Sequence, residues 1–450
     1  MTASIRWALH YLDSLINHER QLPAGPLPRD LKLQRMRLLL HTLGEPHATL
    51  PVIHVAGTKG KGSTAAMIAS VCQHAGLRTG LYISPHLVSP RERIRIDSHL
   101  IEKHTFSQLV RELAERFASA GHDGSRAPTY FEFLTVLAFT HFHRSRVDLA
   151  VMEVGLGGRY DATRVCHPIL SVITPISHDH TKQLGADLLS IAREKAGIFV
   201  PGVPAVVGAQ RPYVRRILRR HGRDLGIPFI GALRWCTTTA LSTTPQGQCF
   251  SARTPCRHYP ALELPLVGGH QRDNAATVIA AIETLSPVYP VLTPRAVTRG
   301  LAHVHWPGRM QYFDVEPPVL VDCAHNGASA QALARHLKKT FPHREVTLVL
   351  GVLRDKDLPR IARALLPCIR RLVVTEPRSP RSLPSATLCY KMVNYGAPQP
   401  TLLHSSDDAL AWARTHTPVS GLVCVTGSVY LAGEALQGLH PQFAALAHEG

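Results

Sequence analysis

The sequence predicts an α/β protein of two domains, the larger built on a mostly parallel sheet. Three observations predict it. Short apolar runs alternate with helix-length amphipathic stretches over most of the 450 residues, as in parallel strands joined by crossover helices. The alternation lapses between Trp235 and Tyr259, where Thr, Ser, Pro and Gln accumulate, and a second alternating block opens near Met310. A glycine- and lysine-rich loop, "GTKGKGST" (57–64), sits between the first apolar run and the helix that follows it.

The elements follow in order. The N-terminus "MTASIRWALHYLDSLI" lacks a basic start and a small-residue cleavage site; it reads as an amphipathic helix opening a helical segment, 1–50, and not as a signal peptide. "VIHVA" is a buried strand, followed by a helix over Ser63–Ala75. "GLYIS" is the next strand, and "YFEFLTVLAFTHFHR" has helical length and period. "DLAVMEV" and "ILSVITPI" are strands, "LLSIAREKAGIF" a helix, "PAVVGA" a strand and "YVRRILRRHG" a basic helix. The polar stretch after Trp235 fits short antiparallel strands or a loop excursion. "DNAATVIAAIETL" restores a helix, and "TPRAVTRGLAHV" opens with Thr-Pro, a helix start. The second block reads as strands at "MQYFDV", "VLVDC", "VTLVLGV", "RLVVTE" and "LVCVTG", with helices at "ASAQALARHLKKTF", "LPRIARALL" and "SDDALAWARTH". That is a small Rossmann-like domain. The expected division is 1–305 and 306–450, with the hinge in "HVHWPGR" (303–309).

Composition narrows the class. No apolar run approaches a membrane span, so a cytoplasmic protein without a membrane partner is expected. Nine cysteines without a CxxC pair exclude a disulfide framework or a structural zinc site. The net charge is +18, but only ten of the 50 basic residues are lysines and no dense basic run exists. A basic surface with an anionic small substrate fits better than nucleic acid.

Two of the ten lysines, Lys59 and Lys61, lie in the glycine-rich loop. Bare backbone lets N–H groups cradle phosphate oxygens, a lysine reaches the outer phosphates, and the helix N-terminus adds its dipole. Gly57, Thr58, Gly60, Lys61, Gly62, Ser63 and Thr64 therefore form a phosphate-binding candidate. The pattern is a variant: two residues, not four, separate Gly57 from Gly60-Lys61, and Gly62 intervenes before Ser63. Glu153 ends an apolar strand, where side chains face the ligand crevice of a parallel sheet; alone, it is as readily a surface acid. "SHDH" (177–180) holds two histidines, but Mg²⁺ prefers oxygen ligands, and the residues alone do not select His180. Lys195, taken alone, reads as a solvated helix lysine.

Together the stretches "HVAGTKGKGSTAAMIA", "GLYISPHLVSPRERIRID", "DLAVMEVGLGGRYDATRV", "DHTKQLG", "IAREKAGIF", "HWPGRMQ", "VLVDCAHN", "VLRDKDL" and "VTGSVYLAGE" resemble, in order and over nearly the whole chain, folylpolyglutamate and dihydrofolate synthases of the Mur ligase superfamily. The resemblance implies a Mur-ligase-like ATP-binding domain and a C-terminal glutamate-ligase domain. It also implies ATP-driven joining of L-glutamate to a folate or dihydropteroate carboxylate through an acyl phosphate. Residue by residue, it implies ATP contacts at the loop and at Asn274, Arg309 and Asp322. It implies magnesium ligands at Ser84, Glu153 and His180, two ions, and a carbamylated Lys195 serving as a further ligand. Lys61, His180 and Lys195 would be catalytic, and His325 and Ser428 would face the glutamate. A monomer acting on small molecules is expected.

The chain departs from the family pattern at Cys323, Gly327, His178 and Lys59, where Gly, Pro, an apolar residue and Asn are commoner. A monofunctional folylpolyglutamate synthase stays open as an alternative. So does another Mur-type amino-acid ligase, although the 56 residues before Gly57 are few for a separate nucleotide-sugar domain. A nucleic-acid ATPase has no basic run in its favour. Intact Lys61, Ser84, Glu153, His180 and Arg309 speak against a non-catalytic relic.

Overall fold

The computed structural model describes residues 4–19, 29–177 and 187–447. Its largest sheet has eight strands. From one edge they run His99–Leu100, Ile94–Ile96, Thr79–Tyr82, Leu149–Glu153, Val52–Ala56, Pro168–Ile173, Ala205–Val207 and Phe229–Gly231. The six from Thr79–Tyr82 onward are parallel; the two edge strands are antiparallel additions. Val52–Ala56 and Leu149–Glu153 are buried along their whole length, which explains why apolar residues fill all but His54 and Glu153.

Helices cover both faces. On one, Lys61–His74 is buried almost throughout because it carries Ala65, Ala66, Ala69 and Ser70 in place of large side chains. Small residues let neighbours approach: a Cβ on Gly300 of the helix Pro294–Ala302 would lie 2.4 Å from the Val71 backbone. On the other face, Phe133, Phe139 and Phe142 of Tyr130–Arg144 pack with Phe106 and Phe117 of Lys103–Ser119. A capping box from Thr129 and Glu132 starts Tyr130–Arg144, and Arg35 forks onto the same Glu132 carboxylate at 2.8 and 2.9 Å.

The polar stretch forms a separate three-stranded antiparallel sheet, Thr237–Thr243, Gln248–Arg253 and His258–Leu264. The second block forms a six-stranded sheet, ordered Gln311–Phe313, Val319–Val321, Leu422–Thr426, Val346–Leu350, Arg371–Val374 and Thr401–Leu402. Only Gln311–Phe313 runs antiparallel in it.

Two findings differ from the sequence reading. The helix after the glycine loop begins at Lys61, two residues before the expected Ser63, because Gly60 adopts φ +76°. That left-handed turn is open to glycine at little cost, and it places Lys61 in the first helical turn. Helices Lys103–Ser119 and Ser385–Asn394, and the short strands at both edges of the large sheet, lie outside the elements read from sequence. Among the described residues no helix is long and apolar enough to cross a membrane, and all nine cysteines are free.

The two large sheets are joined tightly. The loop 84–93 folds around the Glu92 carboxylate, which accepts N–H bonds from Leu87, Val88 and Ser89 at 3.2, 2.7 and 2.7 Å. Its Leu87 carbonyl meets Gly433 of the helix Val429–Leu439, where a Cβ would lie only 2.2 Å from that oxygen. Glu19 adds a second tie: its carboxylate pairs with Arg93 and its carbonyl accepts from Arg381 at 2.8 Å.

Candidate active site

The glycine loop lies at the carboxyl ends of the central strands, between Val52–Ala56 and its helix. Thr58 and Lys59 both donate their backbone N–H to the Pro175 carbonyl, at 2.9 and 3.1 Å. The Thr58 hydroxyl donates to the Ser177 carbonyl at 3.2 Å. The loop is thereby pinned to the continuation of the neighbouring strand Pro168–Ile173.

Glu153, at the end of its strand, is buried directly beneath the loop. Lys61 Nζ stands 3.7 Å from its Oε1, and the Ser84 N–H donates to Oε2 at 3.2 Å. Burial pushes the Glu153 pKa up, while Lys61, the Ser84 N–H and Arg309 pull against it. The surface-acid reading of Glu153 is thus corrected. So is the solvated reading of Lys195, which is 4% exposed and donates to the Gly57 carbonyl at 2.6 Å. The cause lies in the turn before it: the helix Leu188–Ala196 packs Ile191, Ala192 and Ala196 into the core, and Lys195 shares that face.

Arg309 comes from the end of the linker yet reaches the same place. Burial works against its charge, but Cys323, Asp322 and Glu153 outweigh it and raise its pKa. Asp322 is itself buried, which raises its pKa against Arg309; it accepts N–H bonds from Met310 at 2.8 Å and Ala324 at 2.9 Å. It therefore ties the backbone just before Gln311–Phe313 to that just after Val319–Val321. Asn274 lies on the loop: a Cβ on Gly60 would be 2.7 Å from its Oδ1. It donates to Gln271 at 3.0 Å, and Gln271 reaches the Ser63 hydroxyl at 3.4 Å. His325 hydrogen-bonds the Cys323 carbonyl at 2.9 Å beside the start of the helix Gly327–Thr340. Ser428 caps its helix by accepting the Leu431 N–H and is 1% exposed. His180 and His178 lie outside the described residues.

Sequence reasoning missed three contributors. Gln271 stands one helical turn before Asn274 in "HQRDNAA", a spacing that puts both on one face. Trp306, in the linker, packs on the loop, and Arg95 lies over its ring at 5.6 Å; a bulky aromatic beside Pro307 was the one hint. Lys59 reaches Asn326 across the cleft at 2.7 Å. Trp306 explains the intervening Gly62: a Cβ there would lie 2.6 Å from the Trp306 ring and 3.4 Å from Glu153 Oε2. Gly62→Ala is expected to cost about 1–3 kcal/mol by overpacking, read as a lower urea midpoint. Gly62→Ala combined with Trp306→Leu should recover part of it. An unchanged midpoint for the single variant would show that the linker yields freely.

The donors fit a hard divalent cation. Glu153 offers carboxylate oxygens, and the Thr64 hydroxyl is buried at the loop's helix without a hydrogen-bond partner among the described residues. Mg²⁺ takes few protein oxygens and keeps several waters. Among the described residues no cluster of three or more His, Cys, Asp or Glu side chains forms a metal cage.

Comparison with known proteins matches this architecture. Residues 55–282 match the Mur ligase middle domain, and residues 308–429 the Mur ligase glutamate ligase domain. The chain is 32% identical over 407 residues to the dihydrofolate synthase/folylpolyglutamate synthase of Bacillus subtilis, covering 89% of this chain and 93% of that one. Among solved structures, it is 34% identical to Mycobacterium tuberculosis folylpolyglutamate synthase complexed with ADP. The TM-score is 0.84, with 97% of this chain and 98% of that one covered. An FPGS–AMPPCP–folate complex is 32% identical with a TM-score of 0.83, covering 97% and 100%.

Proposed function

Because the chain belongs to the Mur ligase family, among its folylpolyglutamate and dihydrofolate synthases, we propose that it joins L-glutamate to folates and to dihydropteroate at the expense of ATP. One observation carries the reading to these residues: Lys61 from the glycine loop and Arg309 from the end of the linker both act on the buried Glu153 carboxylate. A polyphosphate seated there would meet cations from both sides of the cleft.

The reaction needs an activated carboxyl group, since a carboxylate resists attack by an amine. One carboxylate oxygen of the acceptor attacks the γ-phosphorus, the bond to the bridging oxygen breaks, and ADP leaves. The glutamate amine then attacks the acyl carbon and loses a proton as phosphate departs. This chain's part is to position the groups and balance charge. The N–H groups at the start of the helix Lys61–His74, beyond the Thr58 and Lys59 groups that pin the loop, and Lys61 hold the phosphates, with Ser63, Asn274, Arg309 and Asp322 placing the nucleotide. Glu153, Ser84 and His180 would hold Mg²⁺, with Lys195 at a second ion; bound metal neutralises phosphate oxygens. His325 and Ser428 would line the glutamate side, Ser428 through its capped helix. Closure of the domains, divided at 305/306, would exclude water from the acyl phosphate.

The test is transfer of labelled L-glutamate to tetrahydrofolate and to dihydropteroate with one ADP released per bond. Both acceptors are expected to work. Transfer to reduced folates alone would mark a monofunctional folylpolyglutamate synthase. Transfer to neither, with another amino acid ligated instead, would overturn the assignment.

A further inference from the structure

We infer that Lys59 is a positioning residue, an interdomain latch whose ammonium holds the second domain on the glycine loop through Asn326 when a polyphosphate occupies the cleft. The inference rests on the ATP-dependent reading above. Lys59 Nζ donates to Asn326 Oδ1 at 2.7 Å, spanning 267 positions of sequence. Asn326 is the N-cap of Gly327–Thr340. The same Oδ1 accepts the Ser329 N–H at 3.0 Å and the Ser329 hydroxyl at 3.0 Å. The acceptor is therefore fixed by the helix start, and seating Lys59 on it sets where that helix stands relative to the loop.

Charge makes the contact conditional. A helix N-terminus is the positive end of its dipole, so an ammonium there is disfavoured by itself. The surroundings add to this. Burial, then Arg335, His336, Lys59 and Arg309, hold the neighbouring His270 down to about 4. Asp322 and Glu153 offset Arg309, and the cleft still gathers cations from both domains. A nucleotide polyphosphate adds negative charge at a loop and a helix N-terminus suited to it. With the anion present, the hydrogen bond to Asn326 holds the faces together. Without it, the contact is made against the helix dipole alone. This also accounts for lysine at a position where the shorter Asn is commoner, because an amide at Asn length could not span to Asn326.

Small-angle X-ray scattering of the full chain, titrated with AMPPCP and Mg²⁺, reads closure as a fall in radius of gyration independently of ligation. Lys59→Met keeps the stem and removes the ammonium. Asn326→Ser keeps a capping oxygen but falls short of Lys59. Each should raise the nucleotide concentration for half-compaction about tenfold, as for one charge-assisted hydrogen bond. The double variant should go no further than either single. Asn326→Asp, which keeps the cap and strengthens the acceptor, should lower that concentration. Additive effects, a silent Asn326→Ser, or no compaction in the unaltered protein would overturn the latch. Compaction without ligation would count against the ligase reading and leave the latch standing.

Discussion

Lys61→Ala is expected to lower glutamate ligation by on the order of 10³-fold or more while the protein stays folded. The side chain sits in the first turn of a helix, 3.7 Å from the buried Glu153. It stands at the loop where the transferred phosphoryl group would gather charge. Removing one preorganised donor of this kind typically costs about 10²–10³-fold in turnover, and a lysine that also supports the Glu153 carboxylate sits at the upper end. A second loss adds to it. Glu153 is already held above its ordinary pKa by burial, and Lys61 is the strongest influence opposing that. Without Lys61 the carboxyl is more readily protonated and a poorer partner for a cation. Ligation and ADP release should fall together, and the far-UV circular dichroism spectrum should be unchanged. Turnover within tenfold of normal in a folded variant would defeat the phosphate-loop assignment.

The second large effect is expected at Lys195. Its amine is buried and donates to the first carbonyl of the glycine loop, so the side chain reports directly on the loop's start. A carbamate formed there would keep one N–H for Gly57 while turning a cation into an anion with two oxygens, suited to Mg²⁺. Lys195→Arg preserves charge but cannot carry a carbamate, and it should lose on the order of 10²-fold or more of activity, in the range of removing a metal-orienting group. Lys195→Ala should lose as much and regain part with added short carboxylates. Exposure to ¹³C-bicarbonate should give a carbamate resonance in the unaltered protein that is absent from both variants. An active Lys195→Arg would leave the residue only a structural tie to Gly57.

What the sequence made legible followed from period and punctuation. Val52–Ala56 and Leu149–Glu153 are buried at every position, and apolar at all but His54 and Glu153, because helices cover both their sides. Tyr130–Arg144 matches the expected helix end to end, since Thr129 and Glu132 mark its start. The helix Lys103–Ser119 carries a readable repeat at Phe106, Leu109, Val110, Leu113 and Phe117. The edge strands Ile94–Ile96 and His99–Leu100 are too short to show one, and Ile94–Ile96 includes a buried Arg95. Within the site, the glycine loop and Glu153 could be read from their place at strand ends. The burial of Lys195 could not, because it depends on which helix face meets the sheet. The contacts of Trp306 and Lys59 depend on how two domains meet, and no local spacing records that.

The meeting of Gly433 with the Leu87 carbonyl bears on how such proteins can be recombined. The two domains carry separate family signatures, so they invite chimaeras that pair the nucleotide half of one relative with the glutamate half of another. The joint does not treat them as interchangeable parts. A donor half carrying any side chain at position 433 would be held off the loop that Glu92 folds, and with it off Ser84 at the loop's beginning. Parts exchanged at this boundary therefore need to be matched at residue 433 before any question of substrate preference arises.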